Sequence, residues 1–303
     1  MKKKVHPPLE HRTLDRAGGA TSILGLGTRR LAAAGQQGTI RMVREAIDHG
    51  VKLLEIAPAY GDGRTERWIG LALRDGYREQ VQLLWQCCAY RRDYKTAMLQ
   101  FEATLKLLRT ETVDLWSFHE IIYDNDPDWM YDHGGLDAAQ EAREQGRVRW
   151  IGFQSEKSPH IALKLIARGF AWDAVLMPLN PFDATFRSFE KQVLPEVIRR
   201  GGAVIGTKPL AGGAIPSGKV IKVEDALRYV WSLPVSSVLV GCDSAAVLRK
   251  TLKSAARFEA FQPGEMDALR QKAKLTAGDG RHERYKTTQE YDGAGGKAAH
   301  GFP

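Results

Sequence analysis

The chain reads as an α/β protein that closes into a (β/α)8 TIM barrel with a C-terminal extension. Short apolar, β-branched runs alternate with amphipathic runs from Ser22 to about Ala255, and alternating strand and helix demands a parallel sheet. Eight strand-like runs occur, which suits a closed barrel better than a doubly wound sheet. The 303 residues accommodate one barrel of about 250 residues with extensions at both ends.

Residues 1–20 form an N-terminal extension. Its start, MKKKVHPPLEHR, is basic, but no apolar segment follows, so it is not a secretory signal. The barrel is expected over residues 21–276. Its strands are Ser22–Leu26, Val51–Ile56, Val81–Cys87, Val113–Phe118, Val148–Phe153, Ala174–Met177, Ala203–Thr207 and Ser237–Val240, each short and bounded by Gly, Pro or Asp. Gly25-Leu26-Gly27 lacks the remaining glycine of a dinucleotide fingerprint, which argues against a Rossmann domain. Between Asp93 and Arg109, Met98, Phe101, Leu105 and Leu108 recur at helical spacing, and Asp93 stands where a carboxylate caps the first turn. Ser158-Pro159 opens a helix with a cap residue and an N1 proline, and Gly169 ends it; Gly146 and Gly201 stop two others. Gly264–Lys274 is a further helix with Met266, Leu269 and Ala273 on one face. The tail, residues 277–303, is polar and Gly-rich, a composition that favours disorder, yet Tyr285 and Tyr291 are anchors for docking over the barrel mouth.

Hydrophobic content of 43% and charged content of 26% are those of an ordinary soluble domain. No apolar stretch reaches the roughly 18 residues of a membrane span. Cys87, Cys88 and Cys242 do not make a disulfide framework, which points to a reducing cytoplasm, and no Cys/His spacing suggests a metal site. The net charge of +8 is spread along the chain without interleaved aromatics. It therefore argues against a nucleic-acid partner and suits an anionic small molecule or cofactor.

Candidate chemistry sits at strand ends. VKLLEIAPAYG delivers a phenol, Tyr60, on a polar turn, and TVDLWSFHE delivers an imidazole, His119. A phenol and an imidazole at two strand ends make a proton-transfer pair on a barrel rim. Glu55 within LLEIA is a carboxylate flanked by apolar residues, costly to bury without partners.

The stretches EIAPAYGDG, VDLWSFHE, GRVRWIGF and VLPEVIRRGGAVIGTKPL together resemble the aldo-keto reductase family over about Leu14 to Ala256. The resemblance implies a nicotinamide-dependent oxidoreductase, acting on a carbonyl or hydroxyl of a small molecule, using NADP or NAD. Its tyrosine, the proton donor, falls on Tyr60, and its histidine, which orients the carbonyl, on His119. Its aspartate is here Glu55 and its lysine is here Gln86. A buried carboxylate without its counter-charge should have a raised pKa, and Tyr60 should stay near the free phenol value of about 10. For the cofactor, the resemblance implies Gly27 and Thr28 at the first strand end, Gln154 and Ser155 where a Ser-Asn pair is usual, and Lys208, Pro209 and Leu210 along the pyrophosphate. It also implies Gly241, Cys242 and Asp243 at the adenosine. There, Ser244 and Val247 replace the basic residues that grip a 2′-phosphate, Thr251 replaces an Asn, and Leu176 replaces a carboxamide-binding Gln; Asp243 is alternatively a helix cap. The family habit is a monomer. Three readings stay open: a reductase with an altered tetrad, a non-redox enzyme using Tyr60, Glu55 and His119, and an idle binding protein. The segments Tyr90–Thr96 and Ile121–Gly134 and the tail are expected to line the pocket, with Tyr123, Trp129 and Tyr131 offering aromatic contacts.

Overall fold

A computed structural model describes residues 8–14 and 19–303, so the basic start of the chain lies partly outside the described residues. An antiparallel hairpin comes first, β1 (His11–Thr13) with β2 (Ala20–Ser22). Eight parallel strands follow and close in the order β10-β3-β4-β5-β6-β7-β8-β9. They are β3 (Leu24–Gly27), β4 (Leu53–Ile56), β5 (Gln82–Cys87), β6 (Val113–Phe118), β7 (Val148–Gln154), β8 (Ala174–Pro178), β9 (Ala203–Thr207) and β10 (Ser237–Gly241). Each barrel strand coincides with a run expected from sequence to within a few residues. The hairpin was not expected. It claims Ser22, and its following residue Leu14 is buried with the barrel-interior cluster of Leu53, Leu84, Leu115, Trp150 and Leu239.

The two-residue period of the strands explains both cores. In β5 Leu84 joins the interior cluster while Trp85 packs outward on Phe101 and Trp116 at ring-centroid distances of 5.3 and 4.7 Å. One step further along, the same inward parity carries Glu55 after Leu53, Gln86 after Leu84 and Gln154 after Trp150 and Gly152. The apolar inward residues thus fill the barrel, and the polar ones line its C-terminal end.

Helix boundaries follow the caps. Asp93 accepts from Thr96 N at 2.8 Å and starts the helix Tyr94–Leu108. Ser158 is the N-cap of Pro159–Ala167, although its hydroxyl makes no capping bond; the N1 proline and the extended backbone at Ser158 set that start. Gly146, Gly169 and Gly201 all take positive φ beyond their helices, the conformation that only glycine adopts without strain. A further helix spans Pro263–Ala277.

The tail is ordered against the barrel. Lys286, Asp183 and Glu283 are fully buried, with Lys286 Nζ 2.6 Å from Asp183 and 3.0 Å from Glu283. Asn180, just past β8, donates to Tyr285 Oη at 3.1 Å. Further on, Asp292 pairs with Lys157 and accepts from Tyr123 Oη at 2.9 Å. The glycines of this segment serve close approach: a Cβ on Gly293 would lie 2.8 Å from Glu120 Oε2, and one on Gly295 2.8 Å from the Tyr90 ring. The disorder suggested by composition is therefore corrected, because a buried ion cluster and tight backbone packing supply what apolar residues do not.

Candidate active site

At the C-terminal end of the barrel the four tetrad-like residues converge. Tyr60 Oη donates to Glu55 Oε1 at 2.9 Å, and Gln86 Nε2 donates to the same oxygen at 3.1 Å. The Tyr60 and His119 rings meet edge to face at 6.2 Å. All four side chains are buried. Gly27 makes this possible, since its missing Cβ would lie 3.3 Å from Glu55 Oε2, and Thr28 Oγ1 donates to the Glu55 carbonyl at 2.6 Å. The extra methylene of Glu relative to Asp is thus housed beside a glycine.

Burial pushes the Glu55 carboxyl above its usual range, against the lowering pull of its bonds from Gln86 and Tyr60 and of the Lys208 and Arg29 charges. This is the direction expected once a cation is replaced by an amide. The expectation for Tyr60 is corrected. Its phenol is pushed well above 10, by burial first and by the Glu55 carboxylate second. Loss of the lysine does not merely leave the phenol at its free value; a closed pocket and a neighbouring acceptor both oppose phenolate.

His119 is held neutral. Burial, then the charges of Lys208, Arg29 and Arg92, lower its pKa to about 3. Tyr90 Oη lies 3.0 Å from His119 Nδ1, and Tyr90 is itself raised above its ordinary pKa by burial. Where the Tyr90 hydroxyl donates, Nδ1 accepts and the ring proton resides on Nε2. Cys88 Sγ stands 3.7 Å from the same Nδ1, with its thiol pushed up to about 12 by burial. The turn carrying His119 is clamped by buried Arg92, which donates to the carbonyls of His119 and Glu120 at 2.8 and 2.6 Å and pairs with Asp126.

The cofactor-associated positions are distributed unevenly. Gln154 is buried and bridges Gln86, whose Nε2 donates to its Oε1 at 3.1 Å, and Glu156, to which it donates at 2.9 Å. Ser155 is buried, and its Oγ has no partner among the described residues; the same holds for Gln86 Oε1 and Thr207 Oγ1. Lys208, expected along a phosphate, instead pairs with Glu156 at 2.8 Å, its Nζ 5.5 Å from the centroid of the Tyr285 ring. Pro209 and Leu210 continue that loop, where Gly212 packs against Tyr285 and Tyr291. Gly241 and Asp243 are exposed at the end of β10, while Cys242 is buried. The helix cap there is Ser244, which accepts from Val247 N at 3.4 Å, so the cap alternative for Asp243 is corrected. Leu176 is an apolar member of the barrel interior.

The aromatics expected to face a ligand are engaged within the protein, two by the tail and one by a helix-end arginine. Trp129 stacks on His300 at 4.5 Å, Tyr123 lies on His300 at 4.0 Å, and Tyr131 sits under the Arg168 guanidinium at 4.4 Å. Sequence reasoning placed Tyr90 at the pocket but missed Arg29, Arg30, Cys88, Glu120 and Glu156. Each lies one to three residues beyond a strand's C-terminal end, which is the signal that could have found them. Glu120 is raised to about 7 by burial and then by Glu156, and it accepts from Gly293 N at 3.0 Å.

Residues 23–224 match the Aldo/keto reductase family. The chain is 28% identical over 203 residues to the aldo-keto reductase YhdN of Bacillus subtilis (strain 168), covering 62% of this chain and 58% of that protein. It is 26% identical over 244 residues to the uncharacterized oxidoreductase YrpG of the same organism, covering 73% and 72% of the two chains. Among solved structures, the holo form of the aldo-keto reductase AKR11C1 from Bacillus halodurans superposes with a TM-score of 0.76 at 19% identity, over 91% of this chain and 99% of that one. The thermostable aldo-keto reductase Tm1743, solved with the inhibitor epalrestat, gives a TM-score of 0.71 at 21% identity, over 87% and 100%. At such identities the structural likeness speaks for the fold.

Proposed function

The chain belongs to the aldo/keto reductase family, and from that premise we propose that it interconverts a carbonyl and a hydroxyl on a small molecule with a nicotinamide nucleotide. The observation that carries this reading is the junction of Tyr60, Glu55 and His119 at one barrel end, two proton-bearing groups around one neutral imidazole donor.

The nicotinamide end of such a cofactor fits the residues present. Ser155 Oγ, Gln86 Oε1 and Thr207 Oγ1 are buried polar atoms without partners among the described residues, the kind of groups a carboxamide satisfies. Bound there, the cofactor would supply or accept a hydride. The chain supplies the rest. His119 Nε2–H donates to the carbonyl oxygen and fixes its direction. Tyr60, a neutral phenol, gives that oxygen its proton as negative charge develops. Glu55, whose burial favours the protonated acid, lies 2.9 Å from the phenol and returns a proton to it. The shared proton of the Glu55–Tyr60 pair takes over the part that a neighbouring ammonium plays when it favours phenolate.

A second reading is favoured by one observation: Gln86 leaves a raised carboxyl directly on the phenol, a pair equally suited to elimination or isomerisation. Titration of the purified protein with NADH and NADPH, followed by nicotinamide fluorescence, separates the two. Saturable binding supports the redox reading; no binding of either nucleotide removes it in favour of the non-redox one.

A further inference from the structure

Gln86 does not stand alone where the family lysine would be. From Tyr60 an unbroken line of hydrogen bonds crosses the barrel mouth: Tyr60 Oη to Glu55 Oε1 at 2.9 Å, Gln86 Nε2 to Glu55 Oε1 at 3.1 Å, Gln86 Nε2 to Gln154 Oε1 at 3.1 Å, and Gln154 Nε2 to Glu156 Oε2 at 2.9 Å. Lys208 Nζ closes it, 2.8 Å from Glu156 Oε2. Four strands contribute, β4, β5, β7 and the exit of β9, and every amide and carboxyl in the line is buried.

We propose that Lys208 is the displaced cation of this active centre, a positioning residue that acts on Glu55 and Tyr60 through the Glu156–Gln154–Gln86 relay. The direction of every bond in the line follows from its charged end. The Glu156 carboxylate, paired with an ammonium, only accepts, so Gln154 must present Nε2 to it. The Gln154 oxygen then faces Gln86, which must present its own Nε2, and that nitrogen donates onward to Glu55. The relay thus delivers a fixed donor to Glu55 Oε1, the oxygen that Tyr60 also bonds. Without Lys208, the Glu156 end of the line has lost the ammonium that holds it as an acceptor. When it donates to Gln154, both amides reverse, and Gln86 turns its oxygen to Glu55, which can answer only when protonated.

The charged and titratable groups around Glu55, Tyr60 and His119 come from several elements. Tyr60 lies on its own loop, Arg29 follows β3, Cys88 follows β5, His119 and Glu120 follow β6, Glu156 follows β7 and Lys208 follows β9. Of the two cations whose charge reaches Glu55, Arg29 is exposed, whereas Lys208 is hydrogen-bonded into the line. The relay also accounts for the paired departures from the family pattern: glutamine at position 86 and glutamine at 154 are the residue types able to donate and accept in the same direction.

This inference rests on the oxidoreductase reading for its catalytic meaning, but its test does not. In nucleotide-free protein with carbon-labelled glutamate, the side-chain carboxyl signal of Glu55, assigned by its loss in Glu55→Gln, is titrated in the wild type, Lys208→Met, Gln154→Leu and the double variant. The relay predicts that each single change raises the Glu55 midpoint by about one pH unit and that the double change adds nothing further, because both cut one line. An unmoved midpoint in Lys208→Met, or two shifts that simply add, overturns the proposal. If Lys208→Met does not fold, Gln154→Leu decides alone: an unchanged Glu55 midpoint there overturns it as well. A Lys208 that served only a cofactor phosphate would weaken nucleotide binding and leave the Glu55 titration in place. If the midpoints move as stated while the wild type binds no nicotinamide nucleotide, the relay stands and the oxidoreductase reading falls.

Discussion

Glu55 Oε1 takes two donors, Tyr60 and Gln86, and no lysine stands beside it. The double change Glu55→Asp with Gln86→Lys places an ammonium next to a carboxylate of the right reach, and it should raise kcat for carbonyl reduction, because the charge acts on the developing transition state. The new lysine alone would meet a carboxylate that reaches too far, and the new aspartate alone would remain a buried charge without its counter-ion. Steady-state kinetics on the two single variants and the double decide it; a double variant no faster than the wild type contradicts this view. Glu55 was legible as a carboxylate inside an apolar run and Tyr60 and His119 as polar side chains at strand ends, while Gln86 followed only from the family resemblance. The bond from Lys208 to Glu156 was not legible, since strand register and tail docking, neither visible locally, bring those two together.

Among the helices, Glu66 of Arg64–Ala72 is buried against Thr104 of Tyr94–Leu108, accepting from its hydroxyl at 2.8 Å. Burial raises its pKa from the ordinary 4.5 to about 7. A raised carboxyl contributes stability that is fully present below the unfolded value and is lost as pH rises through the folded one. Glu66→Gln should therefore be near-neutral at pH about 4 and stabilising at pH about 8, by on the order of 1–3 kcal/mol. Thermal unfolding at both pH values measures this; equal effects at the two would contradict the assignment. The tail makes a second case. Lys286→Met leaves Asp183 and Glu283 buried without their cation, a loss of about 3–5 kcal/mol that should fall on the tail. Hydrogen exchange should then show Arg284–Ala299 opening well before the barrel strands. Uniform loss of protection across the barrel would instead make the tail integral to the core. The strands were readable as short apolar, β-branched runs bounded by Gly, Pro or Asp. The tail was readable only through its anchor Tyr285, which is buried; its ion cluster and its glycines chosen for close approach look like solvated linker in sequence.

For the molecule as a whole, the barrel order places every strand's C-terminal end on one rim, and Tyr60, His119, Gln154 and Lys208 meet there. The +8 net charge favours an anionic cofactor in general but does not choose between two of them. At the end of β10, where the family resemblance puts the adenosine, Ser244 and Val247 bring no charge and Asp243 is exposed, while Arg30 lies against Gly241 with its Cδ 3.8 Å from where a Cβ would be. One exposed guanidinium should discriminate by less than about tenfold, or 1.4 kcal/mol. Equilibrium titrations should therefore place NADPH and NADH within that range, and Arg30→Ala should narrow whatever difference exists.

The central claim is that Tyr60, with its proton shared by Glu55, performs carbonyl reduction at this rim. Its most direct test is aldehyde-dependent oxidation of the bound nucleotide, with methylglyoxal and benzaldehyde as probes, in the wild type and in Tyr60→Phe. The substitution removes one hydroxyl that bonds only to Glu55 among the described residues, so fold and nucleotide affinity should persist. Turnover should drop by about a hundredfold or more, the usual share of a positioned general acid. Equal turnover in the two proteins would contradict the account.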